Sequence, residues 1–369
     1  MALSDNKRLY DIATRQQVYI EGVKVQFARE FNFTLNELRI ELSRILGRVK
    51  YKTLDGLTKS ELNKLVLTLR ESQSRIYSKY TQQILKQLKD FTQANAEVTR
   101  RAFVFARLEE TNFDGSAEIP TDEEAIAYIE ENNSSNEIPL FGIGAATTNN
   151  ERLWSAITNA PIPANGLYLL PFVKTFTTSA QAGVENTIRK AWANGWTLQD
   201  TIAEITGEDA KQGTSSQLQR IGVQASAVLA TAVQHVSAIS GASVVSSLYG
   251  FYRWFSVIDS STTEICRGRN GKRFRFGAGP LPPAHIRCRS HIAPIVGIDD
   301  IGAETFYTWA VRQSETFQDD VFGTAKAEEL RTGKLKEKDL AKFEAKPLTI
   351  DEFRRKIKEI LSRLFSESA

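Results

Sequence analysis

Cysteine is scarce in this chain of 369 residues: only Cys266 and Cys288 occur. A fold stapled by a disulfide network is therefore excluded, and the usage fits a reducing cytosol. Long apolar runs are missing as well. The most apolar stretch, around Ala227 to Val233, falls well short of the roughly 20 residues that a bilayer span needs, which predicts no membrane anchor. The opening residues, Met1 to Arg8, lack the apolar core of a secretory signal. No P-loop for nucleotide phosphates is present, because Gly268 to Lys272 is too closely spaced and Arg273, not Ser or Thr, follows the lysine. What remains is 41% apolar and 25% charged, which excludes wholesale disorder.

Basic residues are absent from one stretch. Between Thr111 and Asn150 stand eight acids (Asp114, Glu118, Asp122, Glu123, Glu124, Glu130, Glu131 and Glu137) and no Lys or Arg. The net charge is +3, so the rest of the chain carries +11, an asymmetry that suggests a surface for a polyanion. The acidic stretch also collects Asn, Ser and Gly. It reads as a linker with a short helix near Asp122–Glu131 and little burial.

Periodicity predicts an α+β protein that is predominantly helical. Val23, Phe27, Phe31, Leu35, Leu38, Leu42 and Ile45 fall on one face of a 3.6-residue helix that Gly47 stops. Thr58 and Glu61 have capping-box spacing, and Leu62, Leu65, Leu69, Ile76, Tyr80 and Phe91 follow on a second helix. An antiparallel N-terminal helical hairpin over 1–110 results, followed by the acidic linker over 111–150. A central helical bundle with a small β-hairpin module is expected over 151–300. Within it Asn194-Gly195 ends one helix, Thr197 caps the next, and a third runs from Ser216 to Ile239 before Gly241. His235 on that helix reads as a packed core residue. From Ser243 to Ile258 aromatic and β-branched residues favour strands. C-terminal helices are expected over 301–369, the last capped at Thr349 and Glu352 and carrying Phe353, Ile357, Ile360, Leu361 and Leu364.

One segment carries chemistry. Cys266 is followed by His285, Cys288 and His291, and two thiolates with an imidazole are ligands that Zn²⁺ favours. Thr263 stands where a further cysteine would complete a CxxC pair, so a tetrahedral site recruits His291, Asp259 or water. The alternative is two buried reduced thiols beside a histidine that braces a tight loop. Asn270-Gly271 ahead of an alternating run predicts a hairpin with a type I′ turn. From Cys266 to Ser290 there are seven basic residues and no acid. Arg267, Arg269, Lys272, Arg273 and Arg275 are candidate nucleic-acid contacts, with Arg273 and Arg275 on one strand face; a plain exposed hairpin is the other reading.

The order Asp259-Ser260, Thr262, Cys266, then Asn270-Gly271-Lys272-Arg273-Phe274, then Pro282-Pro283-Ala284-His285-Ile286-Arg287-Cys288-Arg289-Ser290 resembles the phage Mu F-like minor head proteins, the phage head morphogenesis family. The aromatic run Phe251–Val257 and the tail motifs Val321-Phe322-Gly323 and Pro347 to Glu352 fit the same family. The resemblance covers roughly 172–361. It implies a virion component at or near the portal vertex, built in the host cytoplasm, that acts in head assembly, DNA packaging or ejection. The partners it implies are portal, major capsid or scaffold proteins, with viral DNA on the basic hairpin, and it implies no catalytic activity. A metal-dependent DNA-binding protein or nuclease is the alternative. There His285 would activate water beside a metal held by the Cys266/His285/Cys288 cluster, with Asp259 and Asn270 as the nearby polar candidates.

Overall fold

Apolar side chains at three- and four-residue steps build two long helices, α1 (Asp5–Leu46) and α2 (Lys59–Thr111). They are followed by α3 (Asp122–Asn132), α4 (Asn150–Asn159), α5 (Leu169–Ala193), α6 (Leu198–Thr206) and α7 (Gln217–Val245). A small module comes next: β1 (Phe251–Phe255), α8 (Glu264–Arg269), β2 (Arg273–Arg275) and β3 (His291–Ile295). The tail holds α9 (Phe306–Val311), α10 (Glu315–Phe322), α11 (Thr324–Arg331), α12 (Glu337–Leu340) and α13 (Ile350–Ser366). The computed structural model describes residues 5–111, 118–132, 149–207, 215–258, 262–298, 301–302, 304–340 and 342–366. The protein is thus α+β and predominantly helical, as the periodicity predicts.

Two compact units divide the chain, and each draws on separated segments. The first holds 1–26, 88–169 and 230–369; the second holds 27–87 and 170–229. The boundaries read from composition, at 110, 150 and 300, are not the boundaries of these units. A composition shift marks where the chain changes character, whereas α1, α2 and α7 each lend part of one continuous helix to either core.

In the second unit the expected antiparallel hairpin is present. Glu30 accepts from Gln87, Glu37 pairs with Lys79, and Glu41 accepts from Ser72, so rising numbers on α1 meet falling numbers on α2. Phe31, Tyr80 and Phe176 pack edge to face between them at 4.8–6.1 Å. The predicted capping box is formed: Thr58 N–H donates to Glu61 Oε2 at 2.8 Å, and Glu61 N–H returns to Thr58 Oγ1 at 3.3 Å. A minor core of Leu54, Leu57 and Ala191 closes the loop, and Trp192 Nε1 donates to the Leu57 carbonyl.

The first unit contains the sheet. Its three strands are all antiparallel in the order β2-β1-β3, with Arg253 opposite Arg273 and Phe255 opposite His291. Three expectations need correction here. Helix α7 does not stop before Gly241 but continues to Val245, so Ser243–Val245 is helical, not strand. Val244 and Val245 are buried there, and that packing outweighs their β preference. The Asn270-Gly271 turn is not type I′, because Asn270 has φ −55° and ψ 129° and only Gly271 is left-handed, at φ 77°. Lys272 N–H donates to the Arg269 carbonyl across it, which is a type II turn joining α8 to β2. The acidic stretch is also more buried than like-charge repulsion suggests. Helix α3 buries Ala125 and Ile129, and Asp122 grips the Arg100 guanidinium, itself 1% exposed, at 2.6 and 2.7 Å. The parts of that stretch over 112–117 and 133–148 lie outside the described residues.

By length and composition α7 alone among the described helices could cross a membrane. However, 83% of its apolar window is buried inside the protein, the pattern of a core helix. His235 on it is buried, as expected of a packed residue, and burial pushes its imidazole down to about 4.

The tail crosses α1 at Gly22, whose carbonyl accepts from Leu348 N–H at 3.0 Å. A β-carbon at Gly22 would stand 2.7 Å from the Lys346 carbonyl oxygen. Gly22→Ala is therefore expected to destabilise the protein by about 1–2 kcal/mol, read from the denaturant midpoint, despite alanine's better helix propensity. A gain in stability would mean that the tail does not dock there.

Candidate metal centre

Thr263 starts the site. Its hydroxyl accepts from Cys266 N–H and caps α8, so the position that could have held a further cysteine is spent on opening a helix. The cap turns Cys266 inward, beneath Trp254. Cys288 arrives from a tight turn in which its N–H donates to the His285 carbonyl at 3.1 Å. Arg287 in that turn has φ 59°, a left-handed conformation that costs a non-glycine residue roughly 1 kcal/mol. The turn is held from α7, whose Thr231 Oγ1 accepts from Arg287 N–H at 2.9 Å.

These elements bring Cys266, His285 and Cys288 together, with one ligand atom from each lying within 4.8 Å of the others. The two sulfurs are 3.8 Å apart although the residues are 22 positions apart in sequence. Ser290 Oγ donates to Cys266 Sγ at 3.2 Å. His285 Nδ1 lies 2.9 Å from the Ile286 carbonyl; with the proton there, Nε2 is the lone pair left for a metal. The thiol of Cys266, directed at Cys288, holds the Cys288 thiol below the usual thiol range against the opposing effect of burial, and His285 adds to this. The Cys266 thiol is correspondingly pushed up, first by its hydrogen bond to Cys288 and then by burial. Cys288 in turn raises the His285 imidazole.

The donor set can hold a metal ion. Two sulfurs bound at about 2.3 Å with a tetrahedral angle between them would lie about 3.8 Å apart, which matches the observed separation. Both thiols are buried and His285 is half-buried, so three protein ligands are in place with a fourth position left over.

His291, the fourth expected ligand, is not part of this group. Thr14 Oγ1 donates to the Tyr10 carbonyl at 2.8 Å, so it can only accept from His291 Nε2, 3.0 Å away. The ring stacks with Tyr10 and Phe255, and burial pushes its pKa down to about 3, which keeps it neutral. Asp259 lies outside the described residues. Asn270 is taken up structurally, its Oδ1 accepting from Ser256 N–H at 2.9 Å.

The cysteine segment does not carry itself. Lys24 on α1, only 5% exposed, donates to the Cys288 carbonyl at 3.2 Å and is fixed by Glu21 and by Gln234 of α7 at 2.6 and 2.5 Å. Gln234 Nε2 donates to the Ser290 carbonyl at 3.1 Å. Sequence reasoning missed Lys24, Thr231 and Gln234. A glutamine inside an apolar helix was a usable signal, since a buried amide must find partners; nothing marked Lys24 out from an ordinary surface lysine.

Alternation along the strands sorts the basic residues. Tyr252, Trp254, Phe274 and Ile292 share one sheet face with the cysteines. Arg253, Arg273 and Arg275 fall on the other face with the buried Phe255 and His291. Arg253 stands opposite Arg273, donates to the Gly302 carbonyl at 2.7 Å and lies over the Phe255 ring at 5.5 Å. Arg273 lies over the Phe251 ring at 4.1 Å. Arg269 is half-buried over Trp254 at 5.1 Å, while Arg267, Lys272, Arg273 and Arg275 are exposed. The expected shared face of Arg273 and Arg275 is therefore present, and Arg253 joins it.

No protein-family model, curated protein or solved structure matches this chain.

Proposed function

We propose that this protein is a minor structural head protein of a tailed phage, resembling the Mu F-like family. In this reading it acts at or near the portal vertex in head assembly, DNA packaging or ejection. The observation that carries the reading is the convergence of the motif residues Cys266, His285 and Cys288 on one donor group beneath a sheet whose far face bears arginines. The group fixes the loop, and zinc is the metal that its donors suit, with water in the fourth position that a closed structural site would fill with a protein ligand. The arginine face contacts DNA phosphates without reading sequence. The helical surfaces dock on portal, capsid or scaffold proteins inside the assembling head.

The nuclease reading is less well supported. Its water-activating His285 sits with the cysteines on one sheet face, while Arg273 and Arg275 lie on the other. Asn270, one of its two polar candidates, is occupied by backbone.

Mass spectrometry of purified proheads and mature particles, with capture by the cognate portal protein, tests the main reading. The protein is expected in at least one particle form and on the portal; absence from all three would refute it. Elemental analysis of the purified full chain should find about one equivalent of zinc, and Cys288→Ala should lose it together with roughly 2–5 kcal/mol of stability. A metal-free wild type with an unchanged melting transition in the variant would leave the cysteines as ordinary core residues. Reversing charge with Arg273→Glu and Arg275→Glu should weaken DNA retention and lower the salt slope by about 2. An unchanged slope would remove both arginines from the interface.

A further inference from the structure

We propose that Cys266 and Cys288 form a redox modification site: a dithiol that a peroxide converts to an intramolecular disulfide, closing covalently the same loop that a metal closes when the thiols are reduced. The pair stands on geometry. The sulfurs are 3.8 Å apart, about 1.8 Å beyond bonding distance. They pack in one apolar cluster with Trp254, Phe274, Ala284 and Ile292. The chain has no third cysteine, so each thiol has a single possible intramolecular partner.

Both thiols are buried, which ordinarily makes a cysteine inert. The turn that carries Cys288 offers the way in. His285 in it is half-buried, and Ile286 and Arg287 beside it are exposed, so one side of the turn meets solvent and a molecule as small as hydrogen peroxide.

The step balances as follows. One thiolate attacks a peroxide oxygen, the O–O bond breaks, and the departing hydroxide takes a proton to become water, leaving a sulfenic acid. The second thiol then attacks the sulfenic sulfur, gives up its proton and expels hydroxide, which leaves as a second water. Two thiols and one hydrogen peroxide become one disulfide and two waters; the sulfurs are oxidised and the peroxide oxygens reduced.

Both sulfurs are consumed, so the disulfide and a bound metal are mutually exclusive. The loop they close carries Arg267, Arg269, Lys272, Arg273 and Arg275. Its basic residues are thus held in place in a reducing compartment by the metal and in an oxidising one by the S–S bond. The competition with metal rests on the zinc reading above; the closure of the bond does not.

The test uses the full chain, stripped with a chelator and exposed to a few equivalents of hydrogen peroxide, then denatured and treated with a thiol alkylator. The expected product is a monomer lighter by two hydrogen atoms that takes up no alkylator. Its peptide map should join the Cys266 and Cys288 peptides, and dithiothreitol should restore two alkylatable thiols. Cys266→Ser must not yield that product. Sulfinic or sulfonic acids, disulfide-linked dimers, or thiols that remain reduced in the wild type would overturn the proposal. A parallel sample saturated with zinc should oxidise roughly tenfold more slowly. Equal rates, with the disulfide still formed, would sink the metal reading and leave the modification site standing.

Discussion

A buried polar side chain that finds no partner costs on the order of 1–3 kcal/mol, more when it is charged. The start of α1 is therefore matched almost group by group. Asn6 bonds the backbone beyond β3 at Val296 and Ile298, and Asp11 accepts from Trp309 and Gln313 of the tail. Thr14 takes His291, Gln16 reaches Asn95 and Thr99 of α2, Gln17 meets Gln234, and Lys24 ends on the Cys288 carbonyl. Through these contacts the first turns of one helix, buried on nearly every side, fix the sheet, the tail and the cysteine turn. Oil-like packing tolerates sliding; a series of hydrogen bonds of 2.7–3.2 Å tolerates very little. The cysteine knot inherits its geometry from that ladder as much as from its own loop.

The sheet divides labour between its faces. One face packs Trp254 over the two thiols; the other buries Phe255 and His291 against α1 and carries Arg253, Arg273 and Arg275 on its β2 side. A period of two makes this separation unavoidable once the strands pair in register. Aromatic rings brace the cations at Arg269 and Arg273, limiting the side-chain freedom that binding an anion would otherwise have to remove. A knot on one side can thus stiffen a charged surface on the other without sharing its chemistry.

Much of the fold was legible because its signals are local. The capping boxes at Thr58 and Thr349, the stop at Gly47 and the cap at Thr197 each depend on a few adjacent residues, and each is formed. Where a long-range contact competed with a local preference, the sequence misled. Val244 and Val245 look like strand but are held helical by burial, and α3 looks solvated but closes a buried ion pair with Arg100. The Asn270-Gly271 pair turned the chain as expected yet adopted another turn type, because it leaves a helix instead of a strand.

The same division holds at the site. The sequence alone determined which atoms are available: two thiols, an imidazole and a run of cations without an acid, since side-chain chemistry belongs to the residue itself. It also determined that Arg273 and Arg275 share a face, which follows from strand geometry. Only the tertiary structure decided that His285 joins the cysteines while His291 turns to Thr14, since both histidines lie three residues from Cys288 in sequence. Only it brought Lys24 and Gln234 to the backbone of the cysteine turn. Those choices depend on which distant helix packs against the turn, and no short window of residues contains that distance.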